Sequence, residues 1–380
     1  MYFEFNEDQA LWHKTVHDFV DKEFGREYYR QCDEERRYPY ELYKRLAELG
    51  WIGLLIPEEY GGLGSDAFMY TILNEALGKY GVDTGTPVAI TTFTSSNLVH
   101  HGTEEQKQYY LPKVCAGDIR FSISITEPDA GSDAASLKLS AELDGDEFIL
   151  NGQKVFSTAA HAENNVICLA ARTDKTVPKH KGISLILVPN TTPGIEMRRL
   201  KTLARRATGT NEIFFTDARV PKSNLVGQMN HGWDYLTGHL EIERVAVAGL
   251  NLGNAQTALN DAIQYAKERV QFGRPIGHFQ VIKHMLADMA LDVDAARFIV
   301  YRAAWMITQG KPCAKEASMA KLCASETLFR TATNGMQILG GYAQMSEYDM
   351  ERYFREGKQA MVGGGTSQIQ RSVIARGLGL

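Results

Sequence analysis

Apolar residues recur at three- and four-residue steps through the first third of the chain, in Leu42, Leu46 and Leu49 and again in Ile72, Leu73, Ala76 and Leu77. Breaks fall at Pro57 and at Gly61-Gly62. That period lays one apolar stripe along a helix, so residues 1–118 are expected to form a helical domain. From about 119 to 225 the pattern changes to short β-rich runs parted by turns. Phe121–Ile125, Val166–Ala170, Ile183–Val188 and Glu212–Phe215 read as strands, and Asp144-Gly145 and Asn151-Gly152 as hairpin signals. Thr173–Lys181 reads as a polar loop. From about 226 onward the chain is rich in Ala, Leu and Met, with long helical stretches over Trp233–Gln271 and Phe279–Thr308. The expected class is α+β and mostly α: a helical domain (1–118), a central β-domain (119–225) and a C-terminal helical bundle (226–380).

Composition narrows the classes. The 380 residues are 44% hydrophobic and 23% charged, with a formal net charge of −5. Such a chain buries a large core and divides into two or three domains. Neither charge sign dominates, so no nucleic-acid or membrane-surface partner is implied. No apolar run approaches the roughly 18 residues of a membrane span. The five cysteines (Cys32, Cys115, Cys168, Cys313, Cys323) form no C-x-x-C pair, and the histidines show no ligand spacing, so no metal is expected. Scattered cysteines and an acidic N-terminus without a signal pattern point to a cytoplasmic protein.

The most informative stretch is Ile125-Thr-Glu-Pro-Asp-Ala-Gly-Ser-Asp133, where a β-branched strand runs into a Pro/Gly/Asp turn. A rigid strand end carrying free N–H groups and hydroxyls suits a flat ligand rich in acceptors. Asn151-Gly-Gln-Lys-Val-Phe-Ser-Thr158 is a second such piece. Phe215–Pro221, Arg269-Val-Gln-Phe-Gly-Arg-Pro-Ile276, Gln337-Ile-Leu-Gly-Gly341 and Gly365-Thr-Ser-Gln-Ile-Gln-Arg371 follow. With these six segments in order, the chain resembles the acyl-CoA dehydrogenase family over its whole length.

The resemblance implies the family fold, with a four-helix bundle as the C-terminal domain, and FAD as cofactor. It puts Ile125 and Thr126 at the flavin's pyrimidine edge, and Ser132 near the flavin and the phosphate end of an acyl-CoA. Phe156 falls where the family usually has Trp against the isoalloxazine, which keeps the apolar face and loses an indole N–H. Thr158 falls where a hydroxyl bonds flavin N5. Arg269, Gln271, Phe272, Gln337 and Gly341 match positions that hold the FAD pyrophosphate and adenosine from a neighbouring subunit. Arginine suits bidentate phosphate bonding, and glycine permits close backbone approach. Thr366 and Gln368 open a helix where a phosphate would be favoured; without the other motifs Thr366 would read as a plain N-cap. A homotetramer and an electron-transferring flavoprotein as partner also follow from the resemblance.

The reaction needs a carboxylate to take the α-proton of the thioester. Many relatives carry it two residues before the Thr of the last motif, but here that stretch is Gly363-Gly364-Gly365-Thr366. A second group, with the placement found in isovaleryl-CoA and long-chain enzymes, has a glutamate before an Arg on the first C-terminal helix, matching Leu240-Glu-Ile-Glu-Arg244. Helical geometry separates the two glutamates. Glu243 shares a mostly apolar stripe with Leu236, His239, Leu240, Ala246, Val247 and Leu250; Glu241 faces Asp234, Thr237 and Val245 and pairs outward with Arg244. A lone carboxylate on an apolar stripe is costly without a role. Glu243 is therefore the expected base, the alternative being a core pairing with His239 or an Arg. The resemblance also implies the Gly364 backbone N–H as oxyanion donor, since a glycine supplies that N–H as well as a glutamate does. Arg244 either supports substrate or neutralises its helix. Thr91–Ser96 holds no acid, and His100-His101 are expected to cap or pack near Gly102.

Gly363 stands where straight-chain relatives carry an aromatic, which suggests a branched, cyclic or otherwise bulky acyl group beside the reacting carbons. The same residues also suit an enoyl-CoA reductase, an acyl-CoA oxidase, or a flavin-binding partner subunit without catalysis.

Overall fold

The computed structural model describes residues 4–380. Six helices come first: α1 (Glu7–Phe19), α2 (Gly25–Glu34), α3 (Tyr40–Glu48), α4 (Ala67–Gly78), α5 (Val82–His101) and α6 (Glu104–Cys115). Eight strands follow: β1 (Arg120–Ser124), β2 (Ser140–Asp144), β3 (Glu147–Thr158), β4 (Asn165–Arg172), β5 (Ile183–Pro189), β6 (Ile195–Arg199), β7 (Thr210–Pro221) and β8 (Leu225–Val226). The rest is helical apart from one short hairpin: α7 (Gly232–Gly238), α8 (Leu240–Glu268), β9 (Val270–Gln271), β10 (Arg274–Pro275), α9 (Gln280–Thr308), α10 (Ala314–Leu339), α11 (Met350–Ala360) and α12 (Ser367–Gly377). The mostly helical α+β class read from the periodicity is what the chain adopts.

By contacts the chain forms two compact units. One holds the chain up to Glu34, Asp66–Thr86 and Glu241–Leu380; the other holds Glu35–Ser65 and Pro87–Leu240. In the second unit the strands are ordered β6-β7-β3-β2-β4-β5-β8, with β1 pairing parallel to β4. The core there is Phe148, Leu150, Ile167, Leu169, Ile186, Val188, Ile213 and their neighbours, all fully or almost fully buried. β4 is buried at every position, as a strand covered on both faces should be.

Two sequence expectations need correction. Asp144-Gly145 does turn the chain between β2 and β3, but Asn151-Gly152 makes no hairpin. It lies inside β3, where the pairing with β7 slips between Leu150 and Gly152. Gly152 takes φ +139°, and a Cβ there would stand 2.9 Å from the Leu139 backbone, so glycine serves a bulge at a close approach. The helix expected over Trp233–Gln271 is broken at His239 (φ −110°, ψ 6°), which separates α7 from α8. Leu236 and His239 therefore lie outside the helix that carries Glu243.

In the first unit α4 and α8 approach at backbone distance. A Cβ on Gly253 would lie 1.9 Å from the Glu75 carbonyl oxygen, and one on Gly78 would lie 2.0 Å from that of Leu250. These two glycines set the depth of α8, whose first turn carries Glu243. Alanine at 253 is thus expected to destabilise the protein by about 1–3 kcal/mol, despite its better helix propensity. A shift of the urea midpoint in Gly253→Ala checks this, and an unchanged midpoint would show that the helices separate freely.

Candidate active site

In the second unit, the loop after β1 is tied to β3 by a buried ion pair. Lys154 Nζ donates to the Ile125 carbonyl (2.9 Å) and to Glu127 Oε1 (2.8 Å). Glu127 also accepts from the Lys138 and Leu139 N–H groups at 2.6 and 2.8 Å, and the Val155 N–H donates to Thr126 (2.9 Å). Lys154 is fully buried; lost hydration lowers its pKa to about 8, with Glu127 opposing. A second slip of the β3–β7 register, between Lys154 and Ser157, turns Phe156 outward. Phe156 takes φ +61° and is 61% exposed, a costly conformation for an aromatic with its face left open. The unit therefore brings Ile125, Thr126, Phe156 and Thr158 onto neighbouring segments, with Ser132 exposed in the loop.

In the first unit, an open cleft of about 500 Å³ is lined by residues that include Tyr265, Arg269, Gln271, Gly340, Gly341, Tyr342 and Met345. Arg269 stands 5.4 Å from the Tyr342 ring centre. Nothing lies within 4 Å of a Cβ placed on Gly340 or Gly341, so backbone is presented bare to the cleft. Phe272 sits at the tip of the β9–β10 hairpin, 93% exposed, and Gln337 is exposed on α10. Neither lines the cleft. Tyr265, Gly340, Tyr342 and Met345 do line it and escaped the sequence reading; the Gly-Gly pair in the fifth motif was the available signal.

Glu243 occupies the first turn of α8. Its side chain keeps some accessible surface, yet it lies deep enough that lost hydration raises its pKa above the ordinary 4.5. Arg244 and Lys321 offset this in part, and among the described residues no hydrogen bond does. Glu241 behaves differently from the outward pair expected with Arg244: it accepts the Cys313 thiol at 3.1 Å. Arg244 is buried, its Nε meets no acceptor among the described residues, and burial lowers its pKa. The imidazole expected as an alternative partner for Glu243, His239, is engaged with His101 at 3.1 Å, and His101 stacks on Tyr235. His100 packs beside them, bonded to the Ser96 carbonyl.

Gly363–Gly365 form a turn before α12. Gly364 and Gly365 take φ +62° and +83°. A Cβ on Gly364 would stand 3.7 Å from Glu243 Oε1 and 3.9 Å from Lys321 Cε. Val362 and Gly363 donate to the Gln359 carbonyl, and Ser367 to that of Met361. Among the described residues the Gly364 and Gly365 N–H groups reach no acceptor. Thr366 Oγ1 accepts from Ile369 N (3.2 Å) as the N-cap of α12, and Gln368 is exposed on that helix. The space beside Gly363 is filled: a Cβ there would meet the Gln359 amide at 2.5 Å.

Sequence models of the acyl-CoA dehydrogenase N-terminal, middle and C-terminal domains match residues 6–118, 122–218 and 230–379. The chain belongs to the acyl-CoA dehydrogenase family. A probable acyl-CoA dehydrogenase of Bacillus subtilis is 40% identical over 100% of both chains. A subunit of the caffeyl-CoA reductase–Etf complex of Acetobacterium woodii is 36% identical over 98% of each. The solved butyryl-CoA dehydrogenase of Megasphaera elsdenii superposes with a TM-score of 0.94 at 33% identity, covering 100% of both chains.

Acyl-CoA dehydrogenases depend on FAD, and the residues present fit that group. An exposed aromatic held at positive φ beside tied-down backbone suits a flavin ring, and a cleft with an arginine and bare glycine backbone suits a pyrophosphate. A different cluster lies outside these segments: ligand atoms of His13, His17 and Glu75 fall within 4.8 Å of one another. His13 and His17 are one helical turn apart, so a pair of histidines does stand at a ligand spacing where none was expected. Both oxygens of Glu75 are already in short hydrogen bonds, one to Arg297 and one to Tyr301.

The raised pKa of Glu243 has a stability consequence. The folded chain holds its proton more tightly than the unfolded chain, so folding is penalised as pH rises above 4.5, the unfolded-state value. Glu243→Gln is therefore expected to raise the melting temperature at pH 8, with the gain vanishing below pH 4.5. Melting curves across that range check it.

Proposed function

We propose that this acyl-CoA dehydrogenase removes the α-proton of an acyl-CoA with Glu243 and binds the thioester oxygen with the Gly364 N–H. The observation that carries this reading is the 3.7 Å between Glu243 Oε1 and the place a Cβ on Gly364 would take. A carboxylate from either position would reach one and the same place, so a glycine at 364 frees it for Glu243. Desolvation raises the carboxyl toward the neutral range in which a general base is most useful. The Gly364 N–H, unspent on the protein among the described residues, is available to a developing enolate oxygen. FAD, when bound, supplies the acceptor for the two electrons that leave with the β-hydrogen. Ile125, Thr126, Phe156 and Thr158 would hold the flavin ring. Arg269, Gln271 and Gly341 would hold the pyrophosphate and adenosine half, with Phe272, Gln337, Thr366 and Gln368 beside it. Ser132 and Arg244 would take the substrate, Arg244 through an Nε that now has no acceptor.

For the acyl group we propose one with a branch or ring near the reacting carbons. The glycines at 363 and 364 support it, provided the flexible Gln359 amide moves aside. An electron-transferring flavoprotein is the proposed acceptor, supported by the Etf-complex relative, and a homotetramer the proposed assembly. That relative's name also supports a second reading, reduction of an enoyl-CoA.

Anaerobic mixing with butyryl-, isobutyryl-, isovaleryl-, cyclohexanecarboxyl- and octanoyl-CoA tests the substrate. Fastest bleaching of the visible flavin band by a branched or cyclic member is expected; fastest bleaching by butyryl-CoA would contradict the reading of Gly363. Glu243→Gln should slow bleaching by about 10²–10⁴-fold. The double variant Glu243→Gly/Gly364→Glu should recover part of it, limited by the positive φ at 364.

A further inference from the structure

Lys321, on α10, is 1% exposed and is among the largest fully buried side chains of the protein. Its Nζ donates to the carbonyls of Ala360 and Gly365, both at 2.8 Å. These two acceptors bracket the glycine turn. From the other side Gln370 Nε2 donates to the Gly364 and Gly365 carbonyls, each at 3.1 Å. The turn is thereby held by its carbonyls from within, and the N–H groups of Gly364 and Gly365 are left unspent among the described residues. An amide could make such bonds without the cost of burying a charge, as Gln370 does. A buried ammonium therefore calls for a use of its charge. Lys321 Cε lies 3.9 Å from the Cβ position on Gly364, which is itself 3.7 Å from Glu243 Oε1.

We propose that Lys321 is a positioning residue for the α-proton transfer: it pins the turn that presents the Gly364 N–H and sets the charge facing Glu243. The turn contributes no ionisable group. Arg244, from Glu243's own helix, and Lys321, from α10, are the positive charges that act on it; burial raises the Glu243 carboxyl and these two oppose. Lys321 thus joins Arg244 in opposing the rise that burial imposes on this carboxyl, while Gly364 keeps its geometry. The catalytic consequence rests on the reading of Glu243 as base; the electrostatic one does not.

The test uses the FAD-loaded enzyme with Lys321→Gln, which keeps donors for the two carbonyls and removes the charge, and Lys321→Arg, which keeps the charge. The Glu243 carboxyl is followed by pH-difference infrared spectroscopy, as the titrating band missing from Glu243→Gln. In Lys321→Gln that titration should move up by about 1 pH unit or more. The kcat below it should fall about tenfold with KM little changed, and return at high pH. Lys321→Arg should titrate as the wild type does. An unmoved titration in Lys321→Gln overturns the proposal. If Lys321→Gln fails to retain FAD, Lys321→Arg decides: a titration moved upward there overturns it equally. A shifted titration in Lys321→Gln together with undiminished turnover in Glu243→Gln would uphold the electrostatic role and remove Glu243 as base.

Discussion

The proposed site turns on one carboxyl group partly withdrawn from water beside a backbone that carries no side chains. Burial raises the Glu243 carboxyl, and the glycine turn at 363–365 leaves unfilled the place where an alternative carboxylate would stand. Each condition is of little use alone. A glycine turn without a nearby carboxylate has no base, and a buried carboxylate without a free N–H opposite has no partner for the charge it creates. Together, in the proposed reading, they divide base and oxyanion donor between a helix N-terminus and a turn over a hundred residues downstream.

Other contacts hold the segments of the proposed site in place within each unit. The bare backbone contacts at Gly78 and Gly253 fix α8 against α4, and so fix where its first turn lies. Two lysines that are almost wholly buried repeat one device in the two units. Lys154 ties the Ile125 carbonyl to Glu127, and Lys321 ties the glycine turn. In each case an ammonium is spent on the backbone of a loop with a proposed binding role, and for Lys154 the charge is balanced by Glu127. Phe156 adds the opposite kind of cost, a strained and open aromatic.

Periodicity alone made most of this fold legible, because helices and buried strands write their core faces into the chain at periods of 3.6 and 2. Punctuation was read less well. Asn151-Gly152 looks like a two-residue hairpin turn, yet its glycine serves a close approach to Leu139 within a strand. The stop at His239 carries no proline, and a continuous apolar pattern runs past it. Glu243 could be picked out from the helical wheel, although the helix that carries it begins only at Leu240. Lys321 could not: a lysine among alanines on a helix reads as a solvated residue until the chain folds α11 and the glycine turn over it. The cleft residues Tyr265, Tyr342 and Met345 stay hidden for the same reason, since nothing local marks them as neighbours.

The most direct measurement is α-hydrogen exchange into D₂O of a bound acyl-CoA analogue whose β-carbon is replaced by sulfur, so that no hydride can leave. The account predicts rapid deuterium uptake at the α-carbon with the wild-type protein and uptake near the uncatalysed rate with Glu243→Gln, its FAD retained. Exchange in Glu243→Gln at the wild-type rate would mean that another group takes the proton, and the account of this site would fail.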